Sequence, residues 1–326
     1  MRLSVRLAGL VSAVLMSATL PFQTQAQEFP KPGHAITAIV PFAAGGGTDA
    51  FARLMTPVMS KALGVAINVE NKPGASSQIG LTELATSAPD GYTIGFPILP
   101  TSLAYLDPDR QSAYTRESFT LIGPAFSVAS VVAVRSDSPY KSLADLIQAA
   151  KDKPGALKAG TPGVLSTGNL AAIGFGQATG TQFAFVNFQG GGPNVTALLG
   201  GHIDVGFLAM NEALPQLDTR GGNVRVLAVL ADEPNPYGLP TAASQGFKIP
   251  SFSPDVGIVA PAGTPANVVT ALSNALKAAL EDPEVKKQAE ATGNSLQFLS
   301  PADYTTHWIE AEKTYKPLID LAKAQQ

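Results

Sequence analysis

The sequence contains no cysteine, and it has few of the other residues that carry acid–base chemistry. Without cysteine the chain has no disulfide, thiolate nucleophile or thiolate metal site. Its three histidines, His34, His202 and His307, are each expected to be surface or packing residues rather than bases. Charged residues make up 14% of the chain, with no zinc-protease motif, no P-loop lysine and no obvious acid pair. We therefore predict no catalytic residue, no metal site and no cofactor.

The first 26 residues have the pattern of a secretory signal peptide. Arg2 and Arg6 precede an apolar stretch over residues 7–20, and a small-residue cleavage site ends at Ala26. An uncleaved membrane anchor is the alternative, and the small residues that follow the apolar stretch argue against it. The sequence thus predicts a signal peptide over residues 1–26 and an exported, soluble, periplasmic mature chain.

The charge balance of the mature chain is mildly acidic. Removing Arg2 and Arg6 lowers Lys plus Arg from 22 to 20 against 25 acidic residues, a net charge of −5. This balance gives no reason to expect nucleic acid or an anionic membrane surface as a partner. After the leader, no segment is long and apolar enough to cross a bilayer.

Short β-rich runs alternate with helical patterns along the mature chain. The strand candidates are residues 35–40, 65–70, 92–96, 157–160, 183–188, 203–208, 224–230 and 256–260. Helices are predicted from Ser142, with Asp145 as the partner of its capping box, from Thr264-Pro265, and from about Pro301 to Ala322. The alternation predicts an α/β fold with mainly parallel sheets.

Two long passages predict a division into two lobes. Residues 118–135 form a β-rich passage interrupted only by Gly123-Pro124, and residues 252–261 form its counterpart on the way back. These passages suit one lobe made from residues 27–126 and 254–326 and a second lobe made from residues 127–253. Ligand sites form preferentially between domains and at the carboxyl ends of parallel strands.

The glycine run Gly45 to Gly47 lies between the first predicted strand and a helix for which Thr48 or Asp49 is the predicted N-cap. Glycine lacks a Cβ, so a ligand can come close to the backbone. Loop N–H groups and a helix N-terminus both favour negative charge. The pattern predicts an uncharged anion site. The four-residue spacing of Asp49 and Arg53 is explained by a structural ion pair within the helix.

A dinucleotide-binding fingerprint is the strongest alternative for this loop. Gly45-x-Gly47-x-x-Ala50 follows a strand and opens a helix, and Glu70 ends the next strand about 20 residues further on. The export signal argues against this alternative, and so does Pro41-Phe42, which lengthens the turn between strand and glycines.

Three further loops follow predicted strands. Residues 71–77 have two interpretations. They are ordinary turn residues, or Ser76 and Ser77 face a cleft and act as hydroxyl donors to a ligand. Residues 161–169 place hydroxyls and glycines at a helix start, without the spacing of a nucleophile elbow. Residues 188–193 repeat the glycine theme. The number of glycine-rich or hydroxyl-rich loops that follow strands is larger than turn formation alone requires.

Together these stretches resemble the extracytoplasmic solute receptors of tripartite tricarboxylate transporters, also called the Bug family. The similar motifs run in family order over nearly the whole mature chain: Val40-Pro41-Phe42-Ala43-Ala44-Gly45-Gly46-Gly47-Thr48-Asp49, Val69-Glu70-Asn71-Lys72-Pro73-Gly74-Ala75, Pro89-Asp90-Gly91-Tyr92-Thr93, Gln189-Gly190-Gly191-Gly192-Pro193, Leu198-Leu199-Gly200-Gly201-His202-Ile203-Asp204 and Val259-Ala260-Pro261-Ala262-Gly263-Thr264-Pro265. The resemblance implies a two-lobe periplasmic binding protein of the Venus-flytrap type, with hinge-linked, parallel-rich sheets that close on a ligand.

The resemblance also implies the ligand class and the partners. Receptors of this family bind small carboxylates, with one carboxylate held by backbone N–H groups of the first loop, often through ordered waters. The expected partner is the membrane permease of the transporter, or a sensor kinase if the chain is a sensor subunit. An exported enzyme using the same cleft is the alternative. The predicted ligand-binding residues are Phe42, Ala43, Ala44, Gly45, Gly46, Thr48, Asp49, Ser76, Ser77, Thr161, Ser166, Thr167, Phe188, Gln189, Gly190 and Met210.

Departures from the family pattern suggest a less polar far wall of the cleft. Ser76-Ser77 replaces a frequent Gly-Gly, Phe188-Gln189 replaces the usual Tyr-Lys, and Leu208-Ala209-Met210 occupies a position that often holds Asp or Ser. Losing a lysine while gaining Phe and Met favours a ligand with an apolar or aromatic body over a highly charged tricarboxylate. Citrate binding far tighter than any aromatic or aliphatic carboxylate would contradict this hypothesis.

Overall fold

The computed structural model describes residues 29–324. The signal peptide predicted for residues 1–26 therefore lies outside the described residues. The described strands are Ile36–Val40 (β1), Ile67–Asn71 (β2), Thr93–Gly95 (β3), Ile98–Leu99 (β4), Phe119–Val128 (β5), Ser130–Arg135 (β6), Lys158–Thr161 (β7), Ala184–Asn187 (β8), Val205–Ala209 (β9), Val224–Val229 (β10), Asp255–Pro261 (β11) and Asn294–Leu296 (β12). The described α-helices are Gly47–Leu63 (α1), Gln78–Ala85 (α2), Leu143–Asp152 (α3), Thr167–Thr179 (α4), Gly191–Leu199 (α5), Met210–Ala213 (α6), Ala266–Glu281 (α7), Pro283–Thr292 (α8) and Pro301–Ala324 (α9).

The strands form two sheets. The first has the order β12-β5-β11-β3-β1-β2, with β4 also paired to β11, and the second has the order β10-β6-β9-β7-β8. We call the parts of the protein built on these sheets the first and the second lobe. The predicted two-lobe α/β class is confirmed by this architecture of two separate mixed sheets with helices.

The sheets are mixed rather than mainly parallel. In the first sheet β1 is parallel to β2 and β3, whereas β11 is antiparallel to β3, β4 and β5. In the second sheet β7 is parallel to β8 and β9, whereas β6 is antiparallel to β9 and β10. The parallel pairs are the strand–helix units, because a crossover helix returns the chain in the same direction. The strands that connect the lobes make the antiparallel pairs.

The chain crosses between the sheets at Ala129 and again between β10 and β11. The break in the long β-rich passage falls at Ala129, so the expected interruption at Gly123-Pro124 is wrong. Those two residues stay within β5, at an irregularity in its pairing with β11. Backbone hydrogen bonds join the two crossings, from Ser130 N to Phe252 O at 2.8 Å and from Leu230 N to Ser130 O at 2.8 Å. The predicted lobe boundaries at residues 126–127 and 253–254 stay a prediction.

Local sequence explains where several helices begin. The predicted capping box of α3 is confirmed, because the Asp145 N–H donates to Ser142 Oγ at 3.2 Å and the Ser142 N–H donates to Asp145 Oδ2 at 2.9 Å. The predicted N-cap of α1 is wrong: α1 begins at Gly47 and its N-cap is Gly46. Thr48 and Asp49 therefore lie inside the first turn of α1.

Helices cover both faces of each sheet. In the first lobe α1, α7 and α8 supply a core that includes Phe51, Met55 and Leu276, and α2 and α9 cover the other face. In the second lobe α3 and α4 cover one face and α5 and α6 the other. Helix α9 contacts β5 of the first lobe and α4 of the second. No described helix is long and apolar enough to span a membrane.

Candidate functional site

The first loop, residues 41–46, connects β1 to α1 and leaves its backbone accessible. Residues 43–46 are exposed, and Gly45 has a φ of +80°, a conformation that glycine adopts without strain. The N-terminus of α1 has no side-chain cap. Its N–H groups carry the positive end of the helix dipole, so this end of α1 can accept an anion from outside.

Asp49 holds this loop from behind. It is 3% exposed, and its Oδ2 accepts a hydrogen bond from the Gly45 N–H at 2.9 Å. Its Oδ1 accepts from Arg53 Nε at 3.0 Å and from Asn71 Nδ2 at 2.9 Å. Burial by itself raises the pKa of Asp49, but the hydrogen bonds from Arg53, Gly45 and Asn71 outweigh burial and lower the pKa below its ordinary value. The predicted Asp49–Arg53 pair thus exists as part of a brace for the loop.

The second loop, residues 72–77, lies beside the first. Asn71, at the end of β2, donates from Nδ2 to Phe42 O at 3.1 Å. Ala75, Ser76 and Ser77 have φ values of +47°, +52° and +78°, so three successive side-chain-bearing residues are left-handed. Ser77 is 1% exposed, whereas Ser76 is partly exposed and reaches across to the second lobe.

The third loop, residues 162–166, is held by both lobes. Val164 O accepts hydrogen bonds from Ser76 Oγ at 3.2 Å and from Arg110 Nη2 at 3.3 Å. The Thr167 N–H donates to Thr101 Oγ1 at 3.3 Å. Within the second lobe, Ser166 caps α4 by accepting from the Asn169 N–H at 3.2 Å. These contacts join the loop directly to the first lobe.

The fourth loop, residues 188–190, continues from β8 into α5 and lies on the third loop. The Phe188 N–H donates to Thr161 O at 2.9 Å, and the Gly190 N–H donates to Pro162 O at 2.8 Å. Gly190, the N-cap of α5, has a φ of +112° and provides no side-chain cap. The N-terminus of α5 therefore lies open toward the neighbouring segment.

That segment is the turn from β9 into α6, residues 209–212. A Cβ on Gly191 would lie 1.6 Å from Glu212 Oε1, so the Glu212 carboxyl rests against the start of α5. A Cβ on Gly47 would lie 2.5 Å from Asn211 Nδ2, so the same turn reaches α1 of the first lobe. The contacts close a circuit of the four loops and this turn, which we call the loop ring.

The predicted site residues, which lie in the loop ring or directly beside it in sequence, divide by exposure. Partly or fully exposed are Phe42, Ala43, Ala44, Gly45, Gly46, Ser76, Thr167, Phe188, Gln189 and Gly190. Buried are Thr48, Asp49, Ser77, Thr161, Ser166 and Met210. Three of the buried polar groups already have protein partners: Asp49 and Ser166 as described, and Thr161 through a 2.6 Å hydrogen bond from its Oγ1 to Asn187 Oδ1.

Met210 is a correction to the predicted wall of the cleft. It is 1% exposed and belongs to the apolar core of the second lobe, and a Cβ on Gly293 would lie 2.6 Å from its Cγ. The structure therefore places the Met210 side chain in a packed contact between the lobes rather than against the four loops. The residues of this turn that reach the loops are the next two, Asn211 and Glu212.

Sequence reasoning missed Arg110, Asn211 and Glu212. Arg110 lies in a short 3₁₀ segment far along the chain from Val164, so no local pattern connects them. Asn211 and Glu212 carried a usable signal, because they follow the end of β9 at the same sheet edge as the other loops. The motif singled out in the sequence, Leu208-Ala209-Met210, ends two residues before Glu212.

Other titratable groups lie outside the loop ring. His34 and His202 are exposed, and His307 Nε2 lies 2.9 Å from Asp255 Oδ2 where β11 begins. Among the described residues no group of His, Asp and Glu has an arrangement that could hold a metal ion. A groove of about 570 Å³ lies between the lobes on the side of the crossings, and the residues that line it include Met210, Tyr237, Lys286 and Glu290.

Known proteins similar to this chain give a consistent result. Residues 51–322 match the family described as tripartite tricarboxylate transporter family receptor. A Cupriavidus necator protein, described as "UPF0065 protein in gbd 5'region", is 30% identical over 325 residues, which covers 96% of this chain and 95% of that protein.

Solved structures agree over the whole fold. MatC from Rhodopseudomonas palustris, solved with bound malate, has a TM-score of 0.79 at 27% identity and covers 89% of this chain and 100% of its own. An R. palustris protein solved with adipate has a TM-score of 0.82 at 26% identity and covers 91% of this chain and 99% of its own. The family is one of substrate-binding receptors. This chain belongs to the tripartite tricarboxylate transporter receptor family, whose members include the Bug proteins.

Proposed function

We propose that this protein captures a small organic carboxylate in the periplasm and presents it to the membrane permease of a tripartite tricarboxylate transporter. The observation that carries the proposal is the first loop. Its exposed residues 43–46 and the side-chain-uncapped start of α1 form one side of the loop ring, and the second lobe forms the other. Backbone N–H groups and a helix N-terminus stabilise an anion without a paired cation.

The ligand class has support from the relatives. Malate and adipate, the molecules solved with the two R. palustris proteins, are both small carboxylates. In our proposal one carboxylate of the ligand binds the backbone of residues 42–46. The body of the ligand then lies against Ser76, Thr167 and the segment from Phe188 to Gly190, all of which are at least partly exposed.

In this proposal the predicted residues that are buried support the loops from behind the binding surface. Asp49, Thr161 and Ser166 shape the loops through their hydrogen bonds. Thr48 and Ser77 shape them through packing. None of the five contacts the ligand directly in this proposal. The role of the protein is binding and lobe closure, which require no proton transfer. Export would follow from the leader predicted over residues 1–26.

The proposal is tested by calorimetry on extensively dialysed protein. The panel is malate, adipate, citrate, glutamate and benzoate, and each mixture is checked by NMR for turnover. A dissociation constant in the micromolar range or tighter, without turnover, is the expected result. Turnover would favour an exported enzyme. A further titration uses NAD, and NAD binding with no carboxylate binding would favour the dinucleotide alternative. Either outcome would overturn the receptor proposal.

Two glycine variants locate the binding site. Gly45 and Gly64 have φ values of +80° and +74°, and a Cβ on either would have no atom within 4 Å. Gly45→Ala and Gly64→Ala therefore impose similar backbone strain, about 1 kcal/mol or more each. Only Gly45 lies in the loop ring, since Gly64 ends α1. We expect Gly45→Ala alone to weaken binding, and equal affinities in the two variants would exclude the first loop.

The transport partner needs its own measurement. Growth on the identified carboxylate should depend on both this chain and a tripartite permease, which deletion strains can test. If uptake persists without this chain while a transcriptional response to the carboxylate disappears, the chain is a sensor subunit instead.

A further inference from the structure

Glu212 places a carboxyl group in the wall of the loop ring. Its Oε2 accepts a hydrogen bond from the Ala209 N–H at 3.0 Å, and its Oε1 lies against Gly191 at the start of α5. The residue before it, Asn211, contacts Gly47 at the start of α1. The Glu212 carboxyl therefore lies on the second-lobe side of the ring, at the start of α5.

No cation neutralises this carboxyl within residues 29–324. The ion pairs described for the second lobe involve other acids, such as Asp137 with Arg135 and Asp218 with Arg225. Burial raises the pKa of Glu212, and the single hydrogen bond from the Ala209 N–H offsets only part of this effect. Burying an acid without a cation costs free energy. Such acids cluster at functional sites, where a ligand can supply the missing partner.

The ligand can supply that partner. An ionised Glu212 would repel a second ligand carboxylate, because like charges brought together in a partly desolvated site cost several kcal/mol. The same carboxylate would accept a charge-assisted hydrogen bond from a ligand ammonium, hydroxyl or amide. A second carboxylate approaching the start of α5 would also meet the Glu212 carboxyl, because Glu212 Oε1 lies beside Gly191.

We propose that Glu212 is a specificity-determining residue, which selects a monocarboxylate carrying a hydrogen-bond donor at its far end over a dicarboxylate of the same length. This inference rests on the proposed function, since it presumes that one ligand carboxylate binds the first loop. It also revises the expected apolar far wall, because the polar group there is an acid that sequence reasoning did not single out.

The test compares ligands that differ only at one end. For a four-carbon chain these are succinate, 4-aminobutyrate, 4-hydroxybutyrate and butyrate, and for a six-carbon chain adipate, 6-aminohexanoate, 6-hydroxyhexanoate and hexanoate. Dissociation constants are measured by calorimetry for the full mature chain. We expect the better donor-bearing ligand of a series to bind about tenfold or more tighter than the matching dicarboxylate.

Glu212→Gln removes the charge and keeps the side-chain size. We expect the ratio of donor-bearing to dicarboxylate affinity to fall about tenfold or more in this variant. Glu281→Gln, at the exposed end of α7, is the matched control and should leave the ratio unchanged.

A second pair of variants moves Glu212 without replacing it. Gly191→Ala inserts a Cβ at the position of Glu212 Oε1, whereas Gly192→Ala inserts one with no atom within 4 Å. We expect Gly191→Ala to shift the ligand preference in the same direction as Glu212→Gln, and Gly192→Ala to leave it unchanged. Gly191→Ala therefore supplies the test if Glu212→Gln does not fold.

The outcomes separate this inference from the receptor proposal. Wild-type protein that binds dicarboxylates more tightly than their donor-bearing counterparts would overturn the role of Glu212 and leave the receptor proposal standing. An unchanged ratio in Glu212→Gln would do the same. Wild-type protein that binds none of the carboxylates would overturn both.

Discussion

At the scale of single residues, Asp49 links the sequence motif to the shape of the first loop. Its carboxylate accepts three hydrogen bonds, from the Gly45 N–H, Arg53 and Asn71, and so fixes the backbone turn between β1 and α1. In the proposed function Asp49 contributes indirectly, because its side chain is buried behind the loop.

Asp49→Asn tests this brace. The amide has only one oxygen, so its NH₂ group must face at least one of the three donors, and a buried donor loses its acceptor. We expect a loss of about 1–3 kcal/mol in unfolding free energy at neutral pH, measured by urea denaturation, and weaker ligand binding. Asp152→Asn, at an exposed position at the end of α3, is the control.

The pH dependence of that difference has a definite sign. The pKa of Asp49 is lowered in the folded protein, so its ionised form stabilises the fold above the ordinary value of 3.8. This contribution is lost as the pH falls below 3.8 through the folded-state pKa. The stability gap between wild type and Asp49→Asn should therefore narrow in acid, and a gap that is constant with pH would contradict the assigned role.

At the scale of elements, the turn before α2 is the most strained part of the loop ring. Three successive non-glycine residues with positive φ are unusual, and each left-handed residue costs roughly 1–2 kcal/mol. The geometry directs Ser76 Oγ to Val164 O, so the turn contributes a contact between the lobes.

Ala75→Gly should relieve part of this strain. Ala75 is exposed with a φ of +47°, so glycine removes the Cβ penalty at the cost of a more flexible unfolded chain. We expect a net stabilisation of about 0.5 kcal/mol in urea denaturation. Ala156→Gly, at another exposed turn alanine without a positive φ, should destabilise by a similar amount. Equal destabilisation by both substitutions would show that the turn is not strained.

Elements were more predictable from sequence than their contacts. Strands such as β1, β9 and β11 are apolar runs bounded by turn residues, and α3 has an amphipathic face and a capping box, so local signals suffice. The predicted N-cap of α1 is wrong because Asp49, which has the side chain of an N-cap residue, accepts its hydrogen bond from the Gly45 N–H in the preceding loop. The side of the ring formed by Asn211 and Glu212 depends on the approach of two lobes, which no local pattern encodes.

At the scale of the whole molecule, the contact between Gly47 and Asn211 couples the two lobes. Gly47→Ala places a Cβ 2.5 Å from Asn211 Nδ2 and should hinder the approach of the second lobe to α1. We expect ligand affinity to fall about tenfold. In the double variant with Asn211→Ala the clash is absent, so affinity should recover toward that of Asn211→Ala alone. Additive losses in the double-mutant cycle would show that the effect of Gly47→Ala is local.

The two crossings between the sheets also determine the order in which the two sheets can form. The second sheet uses residues 130–229 alone, whereas β11, which lies between β5 and β3 at the centre of the first sheet, begins only at Asp255. As the chain lengthens from its amino end during synthesis, all strands of the second sheet are therefore available while the first sheet, although its first strands appear earlier, still lacks β11. Because pairing over such long sequence separations is slow, we expect the sheet that carries the first loop to be completed after the second sheet.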